Sequence, residues 1–362
     1  MKKYKAAVLA LVLTLVLGCC AVPCACADNG AGAAEPDSTA TEMRFGENRR
    51  IIIDSDTGGD DALAILMAAK SPNITIEGVT VMQGNVTLEQ AANNALMTLE
   101  LAGCDSGVYL GATATLNGVE RKTFSVFGWD GMGDKDLIHP SGKPSEQDAV
   151  DFILETVKKY PDEIEIMAIG PATNIARAIL KDPETMSHVK HIWSMGTAGL
   201  GEGNATPVAE FNVFKDAEAY KVVLDSGINI TIVGLDVCET EDAFFTGSQM
   251  AEMEKGNDVQ KYVADAFSML LEFRRYTRGA DNVDMCDAVL AAAVIWPDFI
   301  ANSLDCKASC VTHDCESLGE VIFYRTDRVY DSLPEFGNPN VQLVTELNLN
   351  NYFENVNALL TR

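Results

Sequence analysis

The chain has 362 residues, 47% of them hydrophobic, so it is long enough and apolar enough to bury a large core. Its formal net charge is −26, and its first 27 residues carry three lysines and no acidic residue, which leaves −29 for the remainder. A chain this acidic repels phosphate backbones, so the composition excludes a nucleic-acid-binding protein and suits an exported, cation-rich environment.

Residues 1–27 have the pattern of a signal peptide. Three lysines among the first five residues precede an apolar run, 6–18, that is too short for a stable membrane span. Two cleavage sites compete: a lipobox-like sequence before Cys19, which would leave a lipidated N-terminus, and an Ala-Cys-Ala sequence ending at position 27, which would release a secreted protein. We favour the membrane-anchored lipoprotein, because residues 28–47 have the composition of a flexible tether.

Strand-like and helix-like segments alternate from residue 50 onward. Short apolar or β-branched runs predict strands at 51–53, 74–81, 163–168, 189–193 and 228–233. Helical patterns are found near 60–70, 88–103, 147–159, 173–182, 215–226 and 250–277, and then come a helix from Asp287, a hairpin at 307–324 and a C-terminal helix ending at Leu360. This alternation predicts an α/β fold with a mostly parallel, Rossmann-like central sheet flanked by helices, and ligands at the carboxyl ends of its strands. We expect residues 48–362 to form a single domain.

Four aspartates, Asp54, Asp56, Asp60 and Asp61, follow the first predicted strand within eight residues. Carboxylates this close repel one another, and a hard divalent cation such as Ca²⁺ or Mg²⁺ would compensate their charge. An EF-hand is excluded, because the twelfth position of the loop is Ile65 rather than Glu. A phosphatase of the haloacid-dehalogenase type also has D-x-D after a strand, but it would give no role to the last two aspartates.

Polar residues also follow other predicted strands. Asn85 comes after strand 74–81, and the segment 169–174 comes after strand 163–168. The strand at 189–193 leads to Met195 and then to a polar segment at 202–212, while Asp287 opens an apolar helix near the far end of the chain. The carboxyl ends of parallel strands meet at one edge of a sheet, so we expect these residues to lie together.

Two of these segments resemble the nucleoside hydrolases of the inosine–uridine-preferring type. The family signature D-x-D-x-G-x-D-D-A is matched by Asp54 to Ala62, and its E-G-N-A-T-x-x-A-E-F-N segment is matched by Glu202 to Asn212. The remaining pieces fit in order and spacing from about residue 49 onward. The phosphatase interpretation predicts nothing about 202–212 and is dropped. The resemblance implies hydrolysis of the N-glycosidic bond of ribonucleosides to ribose and free base.

The resemblance also implies a Ca²⁺ ion that holds the attacking water and two ribose hydroxyls. Asp56 would be both a metal ligand and the general base, and Asp61 a bidentate ligand. Asp287 and the backbone carbonyl of Ile169 would complete the protein ligands. Asp54 would support the hydrogen bonding beside the site.

The same resemblance assigns a set of sugar contacts. The residues expected to bind the ribose hydroxyls or pack near the sugar are Asp60, Asn85, Met195, Asn204, Glu210, Phe211 and Asn212. Simpler alternatives exist for several of them. Asn85 and Asn204 could be turn residues, Asp287 could be only a helix N-cap, and Glu210 and Asn212 could line an exposed strand.

The chain departs from its relatives where the base would bind. Many relatives have His directly before the late aspartate and another before a glycine in the loop after the second helix, whereas this chain has Cys286 and Phe127. A thiol is a poorer proton donor than imidazole at neutral pH. Trp129 could stack on a purine and help it leave, or it could be a packing residue of the loop.

Six cysteines follow the signal region, and three of them lie close together near a histidine. Cys306, Cys310, His313 and Cys315 have a spacing that fits no common zinc template. A disulfide such as Cys310 with Cys315, or plain hairpin residues, is the preferred interpretation for an exported protein.

From the sequence we therefore expect a Ca²⁺-dependent nucleoside N-ribohydrolase with a small-molecule nucleoside substrate. One alternative is a nucleoside- or ribose-binding lipoprotein with weak or no hydrolysis, and another is a hydrolase of a different ribosyl N-glycoside, such as nicotinamide riboside. The resemblance implies a homodimer or homotetramer. The base preference depends on two variable loops and stays open.

Overall fold

The computed structural model describes residues 44–119, 123, 126–313, 315–330 and 338–362. These residues all belong to one compact unit, Thr41–Arg362. The predicted signal peptide and most of the predicted tether lie outside the described residues. Within the described part, every helix is too short or too polar to cross a membrane.

A nine-stranded sheet forms the centre of the fold, in the order β10-β9-β11-β6-β5-β4-β1-β2-β3, and β7 and β8 form a separate antiparallel pair. The strands are β1 Arg49–Ser55, β2 Ile74–Val81, β3 Gly107–Leu110, β4 Ile164–Ala168, β5 His191–Met195, β6 Ile230–Val233, β7 Phe245–Thr246, β8 Asn282–Val283, β9 Ile300–Cys310, β10 Val321–Arg325 and β11 Val341–Leu347. Pairing is parallel from β3 to β11, and β9 is antiparallel to both its neighbours. The predicted mostly parallel α/β fold is confirmed.

Helices cover both faces of this sheet. They are α1 Gly59–Lys70, α2 Leu88–Ala102, α3 Ala149–Lys159, α4 Thr173–Lys181, α5 Pro183–Met186, α6 Phe211–Lys215, α7 Ala217–Leu224, α8 Leu235–Cys238, α9 Gly247–Met253, α10 Asp258–Ala266, α11 Ser268–Arg278, α12 Cys286–Ile295 and α13 Tyr352–Leu359. The side chains of β1 alternate between the two resulting cores: Ile51 and Ile53 pack with α1, α2 and α12, while Ile52 packs with α3, α4 and α7.

The strand order reverses beside β1, and this positions the candidate site. The chain continues from β1 to β2 and β3 on one side, and then returns on the other side as β4, β5 and β6. A crevice therefore opens at the carboxyl ends of β1 and β4, the place where open α/β sheets bind ligands. The buried Asp54 and Asp56 come from the end of β1, and Ile169 follows β4.

The structure corrects one sequence-based expectation and adds two strands to the central sheet. The long helical stretch at 250–277 is three helices, α9 to α11, because Gly256 interrupts the first and the side chain of Asn257 caps the next by accepting from Gln260 N at 2.9 Å. The predicted hairpin at 307–324 is formed by β9 and β10, and β11 connects it to the central sheet because it lies between β6 and β9. The sequence analysis did not predict the short edge strand β3 or the strand β11.

The cysteines of the β9–β10 hairpin are free thiols. Cys310 is buried, and its Sγ lies 3.8 Å from the carbonyl oxygen of Val311, while Cys315 is exposed. The structure thus favours plain hairpin residues over the Cys310–Cys315 disulfide that the sequence left open.

Candidate active site

Two glycines allow the chain to close around Asp56. A Cβ atom on Gly84 would lie 2.0 Å from Asp56 Oδ2, and one on Gly170 would lie 2.9 Å from Asp56 Oδ1. Any side chain at either position would therefore collide with the carboxylate. The loops after β2 and β4 bring backbone to both sides of Asp56, and the backbone N–H of Asn85 donates to its Oδ2.

Asp61 is held in a fixed orientation at the start of α1. Its Oδ1 accepts from the hydroxyl of Ser55 at 2.7 Å, and its Oδ2 accepts from Gly58 N at 2.9 Å and from Asn85 Nδ2 at 3.2 Å. An acidic residue in the first helical turn is favoured by the helix dipole. The segment between β1 and α1 and the β2–α2 loop therefore fix this carboxylate together.

Three carboxylates meet where α1 and α12 begin. Oxygen atoms of Asp60, Asp61 and Asp287 lie within 4.8 Å of one another, and Asp61 and Asp287 are buried. Burial, followed by the charges of its neighbours, raises the pKa of each of the three well above the usual range. Asp287 is not an N-cap, because α12 begins one residue earlier with Met285 as its cap. The sequence analysis gave Asp60 to the sugar, yet it belongs to this closest group.

Asp56 lies beside that group with one oxygen unused. Its Oδ1 is buried and has no hydrogen-bond partner among the described residues. Burial raises its pKa to about 7, and the charge of Asp60 adds to the rise while Lys215 opposes it. A buried carboxylate oxygen without a donor is costly unless a cation or a water proton reaches it. Asp56 is thus suited to bind a cation or to accept a proton.

Asp54 takes no part in the acidic group. Its Oδ1 accepts from Thr80 Oγ1 at 2.6 Å and from Asn174 Nδ2 at 2.9 Å, and its Oδ2 has no described partner. Burial raises its pKa to about 7, while these two hydrogen bonds act in the opposite direction. Asn174 also accepts from Ala112 N at 2.9 Å, so this side chain at the start of α4 joins Asp54 to the loop after β3.

Glu210 and Asn212 flank the crevice from the start of α6. Glu210 is the N-cap of this helix and accepts from Asn212 N at 2.8 Å and Val213 N at 3.0 Å. Asn212 Nδ2 donates to the carbonyl of Ile169 at 3.0 Å and lies 3.8 Å from Met195 Sδ. The alternative of an exposed strand is therefore wrong for both residues. The structure brings Met195, Ile169, Asn212 and Glu210 together beside Asp56.

Burial raises the pKa of Glu210 to about 7, against the effect of its backbone hydrogen bonds. Asn204 is exposed, and its Oδ1 accepts from Phe211 N at 2.8 Å, so the loop before α6 is tied to the start of the helix. Phe211 is half-buried with its ring 5.3 Å from Lys215 Nζ. These residues border the same side of the crevice as Glu210.

Trp129 and Phe127 have opposite environments in the loop after β3. Trp129 is 87% exposed, so the interpretation as a packing residue is wrong. Phe127 is buried and packs edge-on against Phe267 with the ring centroids 5.6 Å apart. A Cβ on Gly59 would lie 2.8 Å from its ring, so Phe127 covers the first turn of α1.

Cys286 is buried at the first position of α12, beside Cys238 at the end of α8. Cys238 Sγ lies 3.8 Å from the carbonyl oxygen of Cys286. A hydrogen bond between the two thiols and burial raise the pKa of Cys286 well above its ordinary value. This thiol therefore releases its proton poorly.

The sequence analysis missed several supporting residues. Asn94 is fully buried in α2 and donates to Thr57 O at 2.8 Å and to Asp130 O at 2.9 Å. It therefore joins the segment between β1 and α1 to the loop that contains Trp129. Ser55 and Asn174 hold Asp61 and Asp54 in the same way. Helical periodicity could have identified Asn94, because it shows an asparagine at a buried position of a helix. No comparable sequence signal exists for Ser55.

Comparison with known proteins agrees with this geometry. The family model described as inosine-uridine preferring nucleoside hydrolase matches residues 51–354. Uridine nucleosidase 1 of Arabidopsis thaliana is 36% identical over 278 residues, which cover 74% of this chain and 82% of that protein. The non-specific ribonucleoside hydrolase RihC of Escherichia fergusonii is 32% identical over 315 residues, covering 86% and 98%.

Solved structures show the same fold. The plant nucleoside hydrolase PpNRh1 has a TM-score of 0.81 and 28% identity, with 86% of this chain and 99% of that chain covered. A purine-preferring ribonucleoside hydrolase from Gardnerella vaginalis has a TM-score of 0.77 and 27% identity, with coverage of 86% and 99%.

Fold and site thus define a glycosidase that acts on N-glycosyl bonds. The chain belongs to the inosine–uridine-preferring nucleoside hydrolase family.

Proposed function

We propose that this protein hydrolyses ribonucleosides to ribose and free base with the help of a bound Ca²⁺ ion. The observation that carries this proposal is the group of buried carboxylates at the sheet crevice, with Asp56 Oδ1 unpaired beside them. Membership of the family supports the reaction class. The ion and the individual roles rest on the chemistry of the site.

The donor set fits a hard divalent cation. It consists of carboxylate and carbonyl oxygens only, which suit Ca²⁺ and Mg²⁺ and not softer metals. Asp56, Asp61, Asp287 and the carbonyl of Ile169 would hold the ion, and Asp60 is close enough to interact with it. When bound, the cation supplies charge stabilisation for the attacking water and anchors ribose hydroxyls.

Asp56 acts as the general base in this proposal. Its Oδ2 is held by the N–H of Asn85, while Oδ1 remains free to accept a proton. Burial raises its pKa to about 7, so the carboxylate is a stronger base than an exposed aspartate and its ionised form is available near neutral pH. A water molecule loses a proton to Asp56 as its oxygen bonds to C1′. The C1′–N bond breaks as the C1′–O bond forms, and its electron pair leaves with the base, which takes up a proton.

The ribose lies against polar side chains that the fold has already oriented. Asp60 and Asn85 contact hydroxyls near the acidic group, and Asn204, Glu210 and Asn212 hold the 5′ and 3′ side. Glu210 is suited to this role because backbone donors fix both its oxygens and leave further lone pairs for a hydroxyl. Met195 and Phe211 pack near the sugar, and Trp129 contacts the base.

An assay of ribose release tests the proposal. Inosine, uridine, cytidine, adenosine and nicotinamide riboside are incubated with the purified protein, with Ca²⁺ or with excess chelator. We expect release from at least one ribonucleoside with Ca²⁺ and none after complete metal removal. Release from nicotinamide riboside alone would favour that substrate instead. No release from any substrate at excess protein would support the alternative of a binding protein.

We also propose that the protein is exported and anchored through Cys19. The support is the basic and apolar sequence of residues 1–27. Mass spectrometry of the N-terminus tests it: a diacylated Cys19 supports anchoring, a start at Asp28 supports secretion, and an intact Met1 contradicts both. Light scattering of the purified protein tests the predicted dimer or tetramer.

A further inference from the structure

The turn after β5 contains a strained residue. Thr197 has a backbone φ of +78°, a left-handed conformation that a β-branched residue rarely adopts. It is buried, with 1% of its surface exposed, and it lies two positions after Met195. A residue keeps such a conformation only where the surrounding contacts prevent it from relaxing, and strain of this kind is concentrated at functional sites. The contacts of this turn therefore indicate the role of the strain.

The backbone N–H of Thr197 is directed at Glu210. It donates to Glu210 Oε2 at 3.4 Å. Glu210 also accepts from Asn212 N at 2.8 Å and from Val213 N at 3.0 Å, but these two donors belong to α6, the helix that Glu210 caps. Within the described part of the chain, Thr197 is therefore the residue that holds this carboxylate from outside its own helix. The strained turn thus joins the end of β5 to a group expected to bind the ribose.

The other polar groups of Thr197 fix the turn itself. Its carbonyl oxygen accepts from Leu235 N, at the start of α8, at 3.1 Å. Its hydroxyl Oγ1 accepts from Gly199 N at 3.0 Å. The turn is consequently attached to α8 at one end and folded on itself at the other.

Asp236 holds the same turn from the side of α8. Its Oδ2 accepts from Leu200 N at 2.9 Å. Its Oδ1 is buried without a hydrogen-bond partner among the described residues, and a Cβ on Gly199 would overlap this oxygen. The carboxylate is thus packed directly against Gly199, which itself has a φ of +62°. An unpaired buried oxygen is unfavourable for folding, as is the strain at Thr197, so stability alone does not account for this arrangement.

We propose that Asp236 is a positioning residue for the nucleoside site. It holds the turn 197–200 in its strained conformation, and the turn presents the N–H of Thr197 to Glu210. Glu210 Oε2 is then fixed where a hydroxyl on the 5′ or 3′ side of the ribose can donate to a remaining lone pair. Asp236 itself does not contact the substrate. This inference rests on the proposed nucleoside hydrolase function.

The test removes the acceptor on the protein and the hydroxyl on the substrate separately and together. kcat/KM is measured for the active ribonucleoside and for its 5′-deoxy and 3′-deoxy analogues. In Asp236→Ala the turn can relax, so we expect kcat/KM for the ribonucleoside to fall about tenfold, as for other residues that orient a group of the site. For one of the two analogues the variant should equal its wild type, because the hydroxyl that Glu210 binds is already missing there.

Asp236→Asn should stay close to wild type on all three substrates, because its amide oxygen can still accept from Leu200 N. Asp242→Ala is the matched control, since Asp242 is an exposed aspartate in the short helical turn that follows α8. Losses of equal size on all three substrates in Asp236→Ala, or an unchanged rate on the ribonucleoside, would overturn the assignment. An Asp236→Asn variant as slow as Asp236→Ala would overturn it too. A wild-type protein that hydrolyses no ribonucleoside would instead overturn the proposed function.

Thermal unfolding shows whether each variant is folded at the assay temperature. If Asp236→Ala is unfolded there, Thr197→Gly tests the same turn. Glycine adopts a φ near +78° without strain, and it lacks the hydroxyl that accepts from Gly199 N, so the turn is less constrained. A smaller loss of kcat/KM that again disappears with one deoxy analogue supports the proposal. No loss, or a loss that is the same for all three substrates, contradicts it.

Discussion

At the scale of single residues, the buried carboxylates of the crevice have separate tasks although they lie close together in the sequence. Asp56 presents a free oxygen to the site, whereas Asp54, two residues earlier, is hydrogen-bonded to Thr80 and Asn174. Both have a pKa raised to about 7 by burial. Asp54 and Asp56 are equally buried but have different hydrogen-bond partners, so substitutions can separate their roles.

Asp56→Asn should abolish most turnover and leave the fold intact. The amide cannot accept the proton of the attacking water, so we expect kcat to fall by about 10²–10⁴-fold. In chelator the variant should unfold at the same temperature as the wild type or higher, because it no longer buries a titratable group. Ribose release and thermal unfolding measure the two effects. Asp105→Asn, on the exposed surface, is the control, and near-normal kcat in Asp56→Asn would contradict a role as the base.

Asp54→Asn tests the linkage between burial and pH. The pKa of Asp54 is raised from 3.8 unfolded to about 7 folded, so its contribution to stability is complete below pH 3.8 and is lost as the pH rises to about 7. That loss is at most about 4 kcal/mol. In chelator we therefore expect the unfolding free energy of Asp54→Asn, relative to wild type, to increase from pH 4 to 7 and then level off. Denaturant titrations at several pH values measure it; a constant difference would refute the assignment.

At the scale of elements, α11 and α12 are joined by one buried arginine. Arg274 is 5% exposed and donates from Nη1 to Asp284 at 2.9 Å and from Nη2 to Asn282 at 2.9 Å, with its guanidinium 4.7 Å from the Phe244 ring. The segment it holds leads directly into Asp287. Its burial and these hydrogen bonds keep the Arg274 side chain out of bulk solvent.

Arg274→Met tests whether Arg274 acts by positioning Asp287 or only through its positive charge. If the arginine acts only through its charge, its removal makes the acidic site more negative and should tighten Ca²⁺ binding. If it positions Asp287, binding should weaken, by about 10–100-fold as for other residues that orient metal ligands. We expect the weakening, with Arg274→Lys intermediate because it keeps the charge and loses the planar fork. Calorimetric Ca²⁺ titration decides between the signs, with the exposed neighbour Arg275→Met as control.

Much of the element order could be predicted from sequence, for a physical reason. The central parallel strands are buried on both faces and read as continuous apolar runs, such as Ile51 to Ile53. The edge strand β3 has four residues and is half-exposed, so it carries no such run. The place of β11 between β6 and β9 depends on pairing between distant segments, which local patterns do not report.

The residues of the site, like the order of the elements, could be predicted only in part from the sequence. The residues of the two family motifs do gather at one crevice, since each follows a strand whose carboxyl end lies there. Ser55 and Asn94 were missed because their importance lies in hydrogen bonds that only the folded chain brings together.

At the scale of the whole molecule, the balance of charge makes the fold sensitive to cations. The full chain carries −26, and its crevice concentrates carboxylates whose pKa values are raised by one another. Repulsion between like charges that are buried close together destabilises the folded state, and a bound divalent cation would remove this repulsion. Metal binding and global stability should therefore be coupled.

Removal of the metal should lower the stability of the protein in a pH-dependent way. A ligand that binds only the folded state at 100 times its Kd adds about 2.7 kcal/mol, so Ca²⁺ should raise the unfolding temperature above that in chelator by several degrees. Protons compete for Asp60, Asp61 and Asp287, whose pKa values are all raised, so the Ca²⁺-induced shift should grow between pH 5 and pH 8. The control is Asp287→Asn at equal ionic strength, because the negative surface also attracts cations non-specifically.

This variant should keep only the small, non-specific shift of the unfolding temperature. An equal shift in variant and wild type would mean that Ca²⁺ acts through net charge alone and not through the three-carboxylate group.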